Sequence, residues 1–102
     1  MQIIRSFSTF AILTSTFLST EAHAGVIQGA WVGCLSEEYL DQFIAAAAQK
    51  DLRLMQSMIG TTCVGIDGHQ FSVLDRGILV TEIRVYIGDD YVDLFVPAEA
   101  AR

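Results

Sequence analysis

Cys34, Cys63 and His69 are the residues of this 102-residue chain best equipped for chemistry. A thiol beside an imidazole makes a nucleophile, because the ring takes the thiol proton and the thiolate attacks. The same cysteines with Asp67 and His69 supply the ligand types of a zinc site. No CxxC or HxxxH pair is present, however, and structural zinc usually relies on such closely spaced pairs. Asp89, Asp90 and Asp93 gather carboxylates around Gly88, without the spacing of a calcium loop that offers about six to eight oxygen ligands. Glu37, Glu38 and Asp41 have the residue types of a glycosidase pair. The first two, though, sit where a helix start favours negative charge in any case. These residues therefore lead to the expectation of no catalytic set, no metal and no cofactor, provided that the cysteines pair with each other.

Residues 1–24 bear on that proviso. Arg5 supplies a positive start, Phe7 to Leu18 form a short apolar stretch diluted by Ser and Thr, and Ala22-His23-Ala24 gives a small-x-small ending. This is the pattern of a cleavable export signal, and the apolar stretch is too short and too hydroxylated to span a bilayer. The expected organisation is a signal over 1–24, cleaved at Ala24-Gly25, and one small domain over 25–102. The domain would work in the periplasm or outside the cell. In such an oxidising compartment an even pair of cysteines is expected to form a disulfide, Cys34–Cys63. Closing a loop of that length stabilises a fold by about 3–4 kcal/mol on the chain-entropy account, against ~5 kcal/mol in total for so small a domain. Trp31-Val32-Gly33-Cys34 offers an alternative, since Gly before Cys is similar to the end of a lipoprotein signal and would lead to acylation of Cys34. Against it, Trp31 is bulky where Leu is expected, the apolar stretch ends well upstream, and Cys63 would be left as a free thiol.

The formal net charge is −6. It does not change on cleavage, because Arg5 and Glu21 leave together. Scattered cations on an acidic domain give no footprint for nucleic acid or for an anionic membrane surface. The charge suits a basic protein partner, or solubility alone.

The elements that must position these residues follow from periodicity. Gly25–Gly33 is a glycine-punctuated lead-in. Ser36 is a good N-cap, Glu37 and Glu38 follow it, and Tyr39, Leu40, Phe43, Ile44 and Ala47 recur at helical spacing as one apolar face. Asp51 can cap a second short helix carrying Leu52, Met55, Met58 and Ile59, with Gly60 at its end. Two helices at a polar elbow and one kinked helix both fit; the elbow is preferred. After Gly60 the period becomes two. Strands are expected over 62–66, 69–74, 78–87 and 91–96, separated by Asp67-Gly68, Asp75-Arg76-Gly77 and Gly88-Asp89-Asp90. Pro97 ends the last strand, and Ala98–Ala101 is expected to make a helical turn. Met55 and Met58 read as core filler.

The region 62–101, with its ending Asp93-Leu94-Phe95-Val96-Pro97-Ala98-Glu99-Ala100, resembles a bacterial SH3-like barrel. The Cys-helices-Cys segment before it resembles a loose set of small exported bacterial proteins. Pattern and resemblance together imply an α+β fold: an N-terminal helical hairpin, then a small antiparallel sheet of four to five strands curled into a partly open barrel. The disulfide would pin the helical layer to the sheet. The resemblance implies a non-enzymatic binding role and transfers no functional residue. Trp31, Tyr91 and Phe95 are the candidates for contact with a partner, since aromatics dominate interface hot spots; for Trp31 the plainer reading is a hydrophobic staple onto the first helix. The function expected is a small exported accessory module that binds a protein partner, with an inhibitor or immunity-type protein as a special case. The alternative is a self-associating structural subunit of an envelope complex, a homo-oligomer. A small envelope hydrolase is disfavoured by the absence of a catalytic set.

Overall fold

Thr81, Ile83 and Val85 alternate with Val80, Glu82 and Arg84 to give a strand with one buried face, and the rest of the sheet is built around it. In the computed structural model, which describes residues 24–102, eight elements follow in order. They are β1 (Ala24–Val26), β2 (Val32–Cys34), α1 (Glu37–Ala48), α2 (Leu52–Met58), β3 (Cys63–Gly65), β4 (Gln70–Asp75), β5 (Val80–Ile87) and β6 (Asp90–Pro97), closed by a 3-10 turn over Ala98–Ala101. The strands form one sheet in the order β1-β4-β5-β6-β2-β3, antiparallel throughout. Of the expected export signal only Ala24 falls among the described residues, where it opens β1.

This corrects the expected fold class. The helices do not form an N-terminal hairpin ahead of the sheet: two strands precede them. The sheet has six strands rather than four to five, and it is open, with β1 and β3 at its edges. The difference lies in the lead-in, whose three-residue strands are too short to display an alternation and whose glycines argue against strand structure. Gly33 is in fact what lets β2 lie down. A Cβ there would come within 3.0 Å of the Leu94 side chain and 3.2 Å of Val96. The connections bind as well. Ile27 N–H donates to the His69 carbonyl at 2.9 Å, and Ile66 N–H donates to the Trp31 carbonyl at 3.0 Å. The segment joining β1 to β2 thus runs beside the one joining β3 to β4, which bends the sheet over its own inner face.

That inner face carries the main core. Phe71, Ile83, Val85, Leu94 and Val96 meet Ile27 and Ile66 from the bent connections, and Ala100 and Ala101 from the closing turn. A second cluster lies on the opposite face, where the helices cover Cys34, Cys63 and Phe95 with Leu40, Phe43 and Met58. The helices form as their termini dictate. The Ser36 hydroxyl accepts from Tyr39 N–H at 3.1 Å, and the Asp51 carboxylate accepts from Leu54 N–H at 3.2 Å. Each cap satisfies one of the orphan donors of its first turn. Between them Lys50 takes φ 59°, so the polar elbow is the arrangement found.

Cys34 and Cys63 form a disulfide, 29 residues apart in sequence. They stand directly opposite each other on β2 and β3. The bridge therefore ties neighbouring strands at the root of the helical excursion, instead of joining a helical layer to the sheet as expected. The last hairpin closes on Gly88-Asp89, with Ile87 opposite Asp90 and φ 63° at Gly88. A two-residue turn of this kind needs positive φ at its first central residue, which glycine supplies without steric cost.

Candidate functional site

The apolar stripe read from α1 is only half used by the core. Leu40, Phe43 and Ala46 are buried, whereas Tyr39, Ile44 and Ala47 stay exposed. The 3.6-residue period spreads Leu40, Phe43 and Ala46 across the buried face and puts Ile44 at its margin, whereas Ala47 lies within that arc but in the last turn of the helix. That margin faces a groove of about 180 Å³ lined by Trp31, Val32, Leu40, Phe43, Ile44, Ala47 and Pro97, with Ala30 at one end. No charged side chain is among the lining residues. An apolar recess without ionisable groups cannot perform acid–base chemistry, but it can take a bulky apolar side chain.

Trp31 is the sequence-nominated residue that belongs to this site. Its indole Nε1–H donates to the Gln28 carbonyl at 2.9 Å, which fixes the ring, and its body packs against the inner-face core. The position directly before the Ser36 cap, from which a staple reaches the helix, is held by half-exposed Leu35. Trp31 instead forms one wall of the groove and α1 the other.

The other two candidates lie elsewhere. Phe95 stands opposite Cys34 and is half-buried against the disulfide cluster. Tyr91 is 53% exposed on β6, near the Gly88 hairpin. Pro97, at the groove, is six residues beyond Tyr91, so about 20 Å of strand separates the two aromatic sites. Tyr91 belongs to a polar cross-strand group instead. Arg84 donates through Nε to the Asp93 carboxylate at 2.8 Å, and through Nη2 at 3.2 Å. Its guanidinium carbon lies 4.1 Å from the Tyr91 ring centre, a cation–π contact. The hydrogen bond from Arg84 holds the Asp93 carboxyl below its ordinary value, and the same bond raises the Arg84 guanidinium further.

The sites of the alternative chemistries are also placed. Both cysteines are buried in the disulfide, so neither offers a thiolate. His69 Nδ1 lies 3.3 Å from the Tyr86 carbonyl on the β4–β5 side of the sheet. Among the described residues, no three His, Cys, Asp or Glu side chains are grouped to hold a metal ion. No described helix is long and apolar enough to cross a membrane. Sequence reasoning missed the groove itself, although part of its helical half was legible in Ile44, the member of the apolar face furthest toward one side. Comparison with known proteins finds no family model, no curated protein and no solved structure that matches this chain.

Proposed function

We propose that this chain is a small exported accessory module, stapled by its disulfide, which holds a protein partner in the groove between Trp31 and α1. The observation that carries this reading is the unpartnered part of the α1 stripe, where Ile44 and Ala47 face a fixed tryptophan across an uncharged recess. A bridge between buried cysteines suits an oxidising compartment, and the pattern of residues 1–24 suits delivery to the periplasm or beyond. The module acts by contact, as an inhibitor or immunity-type protein does, and not by turnover.

The test is site-specific photocrosslinking in cells. A photoreactive residue at Ile44 should give a discrete heavier adduct, and one at Asp89, on the far hairpin, should not. Equal labelling from both positions, or none from Ile44, would remove the groove from consideration. A second reading, an assembly subunit of an envelope complex, draws on Ile78 and Leu79, which are 94% and 81% exposed on the β4–β5 connection. Adducts of Ile44 with a second copy of the same chain would favour it.

A further inference from the structure

Granting that the groove is the binding site, we infer that its occupant is a cationic segment of a partner protein, one that places a bulky apolar side chain in the recess and Lys or Arg beside it. The recess defines the apolar half of this ligand. Its helical bank is Ile44, and Asp41 and Glu37 lie one and two turns before Ile44 along the same side of α1. Carboxylates therefore flank the uncharged floor along its helical bank. The described cations are placed differently: Arg84 is bound to Asp93, Arg76 reaches the Ala101 carbonyl, Arg102 lies with Arg76 beside β1, Arg53 is on α2, and Lys50 stands past the C-terminal end of α1.

A second copy of the chain is the competing occupant, and charge decides against it. Each copy carries a net charge of −6, so pairing two acidic banks brings like charges together, which costs free energy at an interface. A basic segment meets the same bank with opposite sign and is steered toward it at low salt.

Trp31 is the only tryptophan, so its emission reports on the groove directly. The probes are two short synthetic peptides, one alternating leucine with lysine and the other alternating leucine with glutamate, titrated into the oxidised protein. The lysine peptide should shift Trp31 emission saturably and the glutamate peptide should not. The shift should weaken as salt rises from about 0.01 M to about 1 M, where screening falls from ~30 Å to ~3 Å. The double variant Glu37→Gln, Asp41→Asn should bind the lysine peptide roughly three- to tenfold more weakly, the effect of removing two exposed ion pairs. Asp89→Asn with Asp90→Asn, the same change of net charge at the far hairpin, should bind within about twofold of the unaltered chain. Ile44→Glu should lose the response while keeping its circular dichroism.

The outcomes separate the two levels of the argument. Equal binding of both peptides, independent of salt, would overturn the cationic partner and leave the groove standing. Silence of Trp31 toward both peptides would overturn the groove as well. An equal loss from the Asp89/Asp90 variant would reduce the effect to net charge and also overturn the proposal. So would a concentration-dependent dimer whose formation shifts Trp31 emission, because the groove would then be filled by a second copy.

Discussion

Among the described residues, Thr81 is the one whose buried side chain disagrees with its surroundings. It is fully buried on the inner face of β5, opposite Val96, and its hydroxyl has no hydrogen-bond partner. A buried donor left without a partner costs about 1–3 kcal/mol, while the β-branched shape suits the strand. Thr81→Val keeps that shape and removes the hydroxyl, so it should raise stability by about 1 kcal/mol. The urea midpoint measures this, and a lower midpoint would show that the hydroxyl serves the native state. Thr81 was legible as a member of the inward row; that it alone among those neighbours would lack a partner was not. Gly33 makes the same point in reverse. In sequence it interrupts a short apolar run, and only contact with Leu94 and Val96 reveals that a side chain would not fit.

At the level of elements, the β5–β6 hairpin was the most legible part of the chain. Its strand alternation, its Gly88 turn and the outward direction of Glu82 and Arg84 all follow from a period of two and from turn chemistry. The pairing of Arg84 with Asp93 needed the register, which sets them directly opposite. Because Asp93 is held below its ordinary value, its contribution to stability is present at neutral pH and is lost as pH falls through that lowered value. Arg84, shifted upward, stays cationic throughout this range. The difference in urea midpoint between the unaltered chain and Asp93→Asn should accordingly be largest near neutrality and vanish in the acid limb, below the ordinary carboxylate value. It should be small, because both side chains are about a third exposed, and a difference that persisted unchanged into acid would exclude the ion pair as its cause. The helices were legible from their caps, and the elbow from Gln49-Lys50-Asp51. The orientation of α1 was not, since periodicity defines a stripe but not which part of it the neighbours cover.

For the molecule as a whole, the disulfide sets the margin of stability. It joins β2 to β3 beneath Leu40, Phe43 and Met58, so it closes the loop that carries both helices. Replacing both cysteines by serine should cost about 3–4 kcal/mol on the chain-entropy account. That is most of the ~5 kcal/mol available to a domain of this size, and thermal denaturation of the double variant should show a midpoint lowered by roughly 10–30 °C. A midpoint within a few degrees of the unaltered chain would mean that the two clusters hold the fold without the bridge. Local signals, namely caps, alternation, turn glycines and an even pair of cysteines, were enough to place α1, α2, β4, β5 and β6 and to name the bridge, because each depends on residues near one another in the chain. β1 and β2, the six-stranded open order and the groove beside Trp31 depend on contacts between distant segments. Strands of three residues carry no period of their own, and a recess exists only between surfaces that the sequence lists apart.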